Sequence, residues 1–355
     1  MKKMFLTVAA AVLMCVIILS ASCGNAGNGP EDSGNIEGSG KLKIVTTLYA
    51  PYDFAVNIAG SMADVTMLLA PGEESHSYDP TPQDIINIGK CDLFIYNGGE
   101  NEAWVDGVLE SVGDNVKVLR MMDVVDKMYA EEPVSGMQPE DGGDGGEDNS
   151  GVVGEDNAGD AGAGNGSDTD DGIGGINGAD EYDEHVWASL DNAIAIVKAV
   201  TDEIVSIDPD NEETYKAGMD RYTAELSRVR DDIAQVVNES KRKLIVFGDR
   251  FPMRYFTEEF GLEYYAAFPG CSADTEADAA TIKFLIDKVR EENIPIVIKN
   301  EMSNGTVADS IAEETGTEVR TMYACHNISK EDFDSGIGYV GLMERNLAVL
   351  KEALN

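Results

Sequence analysis

Lys41-Leu42-Lys43-Ile44-Val45 is followed by a helical stretch, Phe54–Ala59, and then by Gly60. An apolar β-branched run, a helix and a closing glycine make a β/α unit. The same order returns at Lys243-Leu244-Ile245-Val246, which leads to Tyr255–Phe260 and Gly261. An opening used twice predicts an α/β fold of two similar lobes. Around the first copy, strands are predicted at Leu42–Thr47, Val65–Leu69, Leu93–Asn97 and Val116–Leu119. Helices are predicted at Tyr52–Ile58, Pro82–Lys90 and Glu102–Val112. Around the second copy, strands are predicted at Tyr264–Phe268, Ile296–Lys299 and Glu318–Met322. Its helices are predicted at Ala277–Glu292, Thr306–Glu314 and Tyr339–Ala353. Such alternation indicates parallel sheets covered on both faces.

Between the copies lie two helical stretches. Trp187, Leu190, Ile194, Val197 and Ile204 share one side of residues 187–206, and Asp208-Pro209 ends that helix. From Glu212 to Glu239, Tyr215, Met219, Tyr222, Leu226, Val229, Ile233 and Val236 recur at spacings of three and four. A helix of this length spans about 40 Å at 1.5 Å per residue, enough to bridge two lobes as one rigid rod. The expected division is therefore a first lobe over 41–210, a linking helix over 211–240 and a second lobe over 241–355.

Residues 131–184 interrupt the first lobe. They carry 17 Asp and Glu, no Lys or Arg, and many Gly and Asn. With so few large apolar groups the segment is expected to be a disordered acidic insert. It is either an inert solvated loop or a weak collector of cations.

The amino terminus sets the compartment. Lys2 and Lys3 precede an apolar run from Phe5 to Leu19, then Ser20-Ala21-Ser22-Cys23. This pattern reads as a signal peptide over 1–22. The small residues before Cys23 resemble a bacterial lipobox, so Cys23 is expected to carry a lipid that anchors the chain to the cell membrane. Residues 23–40 then form a flexible tether. The balance of 26 Lys+Arg against 66 Asp+Glu, net −40, excludes nucleic acid as a partner, since phosphates need cationic surfaces. It suits an extracytoplasmic protein whose field attracts cations.

The cysteines sort by place. Cys15 leaves with the signal, Cys23 carries lipid and Cys91 starts a strand as a small hydrophobe. Cys271 and Cys325 remain, both in loops, and are expected to pair outside the cytoplasm. The alternative is that one of these thiolates binds a metal.

Only three histidines occur, His76, His185 and His326, and each lies in a loop beside a strand or helix end. Imidazole is the commonest ligand for zinc-like metals, and ligands from distant segments suit a cleft between lobes. His76 sits in Pro71-Gly72-Glu73-Glu74-Ser75-His76-Ser77-Tyr78-Asp79-Pro80-Thr81-Pro82-Gln83-Asp84, after a strand and before a helix. His185 sits in Asp183-Glu184-His185-Val186-Trp187, where the carboxylates can orient its second nitrogen. Asp249, in Phe247-Gly248-Asp249-Arg250-Phe251-Pro252, offers a hard oxygen. His326 follows a strand in Ala324-Cys325-His326-Asn327. No Gly-x-Ser-x-Gly, His-Glu-x-x-His or phosphate-cradling loop occurs, so no catalysis is expected.

Together these stretches resemble the zinc- and manganese-type substrate-binding proteins of bacterial ABC transporters, the cluster A-I metal-binding lipoproteins. The Pro-Gly…His-x-Tyr-x-Pro-x-Pro-x-Asp run at 71–84 is the most specific match. Tyr96-Asn97-Gly98 with Trp104, His185-Val186-Trp187, Asp208-Pro209 through Tyr215, and Tyr255-Phe256 with Gly261 extend the likeness over 41–355. The resemblance implies two α/β lobes bridged by one long helix, with a metal in the interlobe cleft. It carries over His76 and His185 as ligands. At the third ligand, counting from the strand gives Asp249 and counting back from Tyr255-Phe256 gives Arg250. Arg cannot ligate, so Asp249 is expected there. At the fourth, where the family usually holds Asp-Pro, His326 is expected. The implied function is capture of zinc, with manganese or iron as the alternative cargo, and its delivery to an ABC transporter permease by a monomer. Zinc leads because three imidazoles and a carboxylate suit a closed tetrahedral site. Two other readings are a secreted zinc hydrolase with Glu74 or Glu301 as general base, and an adhesin engaged in cell adhesion.

Overall fold

Two four-stranded sheets with one strand order carry the fold. The structure, a computed structural model, describes residues 40–73, 78–113, 116–131, 133–138, 182–270, 272 and 276–355. The signal peptide, almost all of the tether, and residues 139–181 of the acidic segment lie outside the described residues. In the first sheet, β1 (Leu42–Thr46), β2 (Ala63–Met67), β3 (Leu93–Tyr96) and β4 (Lys117–Arg120) lie in the order β2-β1-β3-β4. In the second, β5 (Leu244–Phe251), β6 (Glu263–Pro269), β7 (Ile296–Asn300) and β8 (Glu318–Met322) lie in the order β6-β5-β7-β8. Every pairing is parallel. The repeat seen in sequence is thus a repeat of topology. β3 reads Leu-Phe-Ile-Tyr and is buried throughout, as a central parallel strand covered on both faces must be.

Helices α1 (Tyr49–Ala59), α2 (Pro82–Ile88) and α3 (Trp104–Val112) alternate with the first four strands, and α6 (Arg254–Phe260), α7 (Ala279–Glu291) and α8 (Thr306–Thr315) with the second four. α4 (Leu190–Ile207) and α5 (Glu212–Glu239) lie between the sheets in sequence, and α9 (Lys330–Ser335) and α10 (Tyr339–Ala353) close the chain. α9 escapes the sequence pattern because it is short. Its start is fixed by Ser329, whose side chain accepts from Asp332 N.

α5 buries Tyr215, Gly218, Tyr222, Leu226, Val229, Ile233 and Val237 along one stripe and packs against α1, α4 and α10. Gly218 is where α5 meets α1. A Cβ there would stand 2.4 Å from Ile58 O, so no larger residue fits without parting the helices. Beside it, buried Asp53 of α1 accepts from Tyr222 Oη of α5 and from Tyr339 N of α10. Burial raises the pKa of Asp53, and the hydrogen bonds from Tyr222, Tyr339 and Asn57 oppose that rise. One apolar core holds Ile44 and Leu93 of the first sheet, Ile245 and Ile298 of the second, and the stripe of α5. Residues Lys41–Asn355 accordingly form a single compact unit. The sheets fall on either side of the expected linking helix, and the core runs past it.

The ends of the acidic segment are built into this unit, against the expectation of one disordered block over 131–184. Met137 is buried in the core, and Gln138 N donates to Ala267 O at 2.9 Å. Tyr182 bridges antiparallel to Ala130, and Asp183 and Glu184 are buried. Composition averaged over the segment hides a few apolar residues at its rim.

Candidate metal centre

Parallel sheets gather their loops at the carboxyl ends of the strands, and the cleft forms there. Its lining includes Glu73 after β2, Arg250 in β5, Glu301 after β7 and His326 after β8, together with His185. The cleft encloses about 40 Å³.

His185 precedes a short 3-10 turn (Val186–Ala188) leading into α4 and is 1 % exposed. Asp183 Oδ1 accepts from His185 N at 2.8 Å and lies 3.1 Å from Nδ1. That contact places the proton on Nδ1 and leaves Nε2 as the electron-pair donor. Nε2 is buried and has no hydrogen-bond partner among the described residues. An orphaned imidazole nitrogen in a closed site is costly, and a metal ion removes that cost. Burial opposes charging of the ring, but Asp183, through charge and hydrogen bond, raises the His185 pKa overall.

His326 is brought to His185 by a turn that Glu301 holds. Glu301 Oε2 accepts from Ala324 N at 3.0 Å and Oε1 from Cys325 N at 2.9 Å. Cys325 takes a left-handed conformation, φ 59°, which turns its side chain into the core while Ala324 and His326 line the cleft. The His185 and His326 rings stand 5.2 Å apart by centroid, edge to face. Trp187 lies against both, 5.5 Å from His185 and 5.1 Å from His326, and its Nε1 donates to Ala324 O at 2.8 Å. Burial pushes the Glu301 carboxyl up to about 7, the backbone donors pulling the other way.

His76 and Glu74 lie outside the described residues. Their described neighbours sit at the cleft: Gly72 N donates to Ile328 O at 2.9 Å, and Asn327 Nδ2 donates to Glu73 O at 2.7 Å. Gly72 and Glu73 are thereby stitched to the loop that carries His326.

Asp249, expected as the third ligand, faces elsewhere. Its Oδ1 accepts from Arg250 N at 2.8 Å and its Oδ2 from Asn300 N at 3.1 Å. The cause is an irregularity in the β5–β6 pairing between Phe247 and Arg250. Such a bulge shifts the alternation of side chains and re-aims them. Arg250 takes the place on the cleft wall, and Glu73 and Glu301 are the carboxylate residues that line the cleft. The signal for Glu301 was its place directly after an apolar strand, where ligand loops lie.

Cys325 is a free, fully buried thiol. It pairs with no cysteine among the described residues, and its expected partner Cys271 lies outside them. Burial first, then the negative charge of Glu301, raises its pKa well above that of an ordinary thiol, and the side chain packs in the core.

A family model for the zinc-uptake complex component A, periplasmic, matches residues 44–353. The chain belongs to this zinc-uptake component A family. It is 31 % identical over 344 residues to the high-affinity zinc uptake system protein ZnuA of Bacillus subtilis, covering 97 % of this chain and 96 % of that protein. It is 23 % identical over 347 residues to the manganese-binding lipoprotein MntA of Halalkalibacterium halodurans, covering 97 % of each. The crystal structure of the Zn(II)-bound ZnuA-like domain of Streptococcus pneumoniae AdcA superposes with a TM-score of 0.66 at 26 % identity, over 89 % of this chain and 99 % of that one. Members of the family are metal-binding components of transporters, and the paired parallel sheets described above are their fold.

Proposed function

We propose that this chain captures zinc outside the cytoplasmic membrane and delivers it to the permease of an ABC importer. The observation that carries this reading is the buried Nε2 of His185, unpartnered among the described residues, on a ring fixed by Asp183 at a cleft that His326 also lines. His76, His185 and His326 supply three neutral imidazoles, a set that favours zinc over the harder manganese ion. Asp249 supports the wall of the site through its two backbone contacts, and Glu301 offsets the charge of the ion. The chain acts as a monomer held at the membrane by a lipid on Cys23, a reading supported by Ser20-Ala21-Ser22-Cys23. It is a carrier and not an enzyme, a reading supported by its membership of a family of metal-binding transporter components. Calorimetric titration of the metal-free protein with zinc and with manganese tests the proposal. Tight, one-to-one zinc binding with weaker manganese binding is the expected result, and no zinc binding at micromolar protein would overturn it.

A further inference from the structure

His326 lines a second cavity, of about 20 Å³, as well as the cleft. Thr47 and Asn97 reach it from the carboxyl ends of β1 and β3, which pair in parallel, and Glu102 reaches it from the turn Glu100–Glu102 that follows β3. The three residues are 3 %, 1 % and 7 % exposed. Two of them are anchored at one end. Asn97 Nδ2 donates to Glu184 O at 2.8 Å and to Gly98 O at 3.0 Å, and Glu102 Oε2 accepts from Gly98 N at 2.7 Å. What remains is three oxygens. Thr47 Oγ1, Asn97 Oδ1 and Glu102 Oε1 are buried and have no hydrogen-bond partner among the described residues. Leaving buried polar atoms unpaired is costly, so the cavity is built for something that pairs with oxygen.

An amide, a hydroxyl and a carboxylate oxygen are hard donors, suited to hard cations. We infer that this cavity is a second ion site, for a monovalent alkali-metal cation held by Thr47 Oγ1, Asn97 Oδ1 and Glu102 Oε1. The space suits one ion, since a water-sized group needs about 10–15 Å³. Charge separates an ion from a water molecule there. Burial pushes the Glu102 carboxyl up to about 7, and the negative charge of Glu184 adds to that rise. The Thr47 hydroxyl stands beside the carboxylate and opposes the rise, outside hydrogen-bond geometry. Water brings no charge to this carboxylate, whereas a cation does. Arg120, which passes over Gly98, has a 41 % exposed side chain and pairs with Asp123 at 3.4 Å. Glu184 lines the cavity too, but its carboxylate accepts from Glu100 N, Asn101 N and Asn101 Nδ2. One free carboxylate oxygen therefore faces the ion, which matches a single positive charge. The rings of Tyr78 and Trp104, 5.8 Å apart by centroid, complete the wall, and aromatic faces attract cations. The inference does not rest on the zinc reading above.

The test is thermal unfolding of the full chain, stripped of zinc, in sodium, potassium or choline chloride at equal ionic strength and at a pH above the Glu102 value. Choline is too large for the cavity. For the parent protein, sodium or potassium should raise the midpoint over choline by about 2 °C or more, and the rise should saturate with concentration. Glu102→Gln removes the charge and should give one midpoint in all three salts. Thr47→Val keeps the charge but removes an oxygen, and should lose most of the rise, so the proposal stays testable if one variant folds poorly. Equal parent midpoints in the three salts overturn the ion and leave the cavity to water. A rise that survives undiminished in either variant also overturns it, since the ion then binds elsewhere.

Discussion

The imidazoles of His185 and His326 meet edge to face, their centroids 5.2 Å apart and their planes at 86°, although one precedes α4 and the other follows β8. Neither sheet owns the site. His185→Ala or His326→Ala should weaken zinc binding by 100-fold or more. Asp183→Asn keeps the shape but no longer fixes the ring, and should weaken it by about 10- to 100-fold. Calorimetry on each purified variant reads the effect, and parent-like affinity in both alanine variants would remove the proposed ligands.

Zinc loading should release protons. The Asp183 carboxylate raises the His185 pKa above 6.5 despite burial, and burial pushes Glu301 up to about 7. Near neutral pH the metal-free site therefore carries protons that the ion must displace. Affinity is kept above these raised values and lost as pH falls through them, earlier than for an ordinary histidine. Titrations in two buffers of different ionisation enthalpy should give different apparent enthalpies, and Glu301→Gln should narrow that difference. Buffer-independent enthalpies in the parent would contradict this.

Gly218→Ala should destabilise the whole chain. The added Cβ would lie 2.4 Å from Ile58 O, against helix backbone that cannot yield cheaply. Overpacking of this sort costs about 1–3 kcal/mol. Urea unfolding should show a single transition moved to lower denaturant, while an unchanged midpoint would mean that α1 and α5 part easily.

Met137→Ala should lower stability by about 2–5 kcal/mol, the usual range for a buried methionine. The residue belongs to the acidic segment by sequence, yet its side chain is in the core. A loss below about 0.5 kcal/mol in the same unfolding assay would return 133–138 to the status of solvated loop.

The fold was largely legible in the sequence because its signals are periodic. The apolar stripe at spacings of three and four places α5 at Glu212–Glu239, which are its observed bounds. The twofold strand–helix opening anticipates two sheets of one topology. What escaped depends on partners that a single segment does not display. The outward turn of Arg250 and the inward turn of Asp249 arise from a pairing irregularity with β6, and alternation along β5 alone says nothing of it. The turn of Cys325 away from the cleft follows from its left-handed backbone and from Glu301 bonding two successive N–H groups. The pairing of His185 with an orienting carboxylate was legible, because Asp183 lies two positions before it.

The shared core has a thermodynamic corollary. Since both sheets contribute side chains to one shared apolar mass, an ion held between them opposes the unfolding of the entire chain and not of one part. Once free zinc exceeds the dissociation constant, each further tenfold rise adds about 1.4 kcal/mol of stability. The melting temperature of the intact protein is then a gauge of the surrounding zinc, and the empty carrier is the form that proteases outside the membrane would find easiest to open.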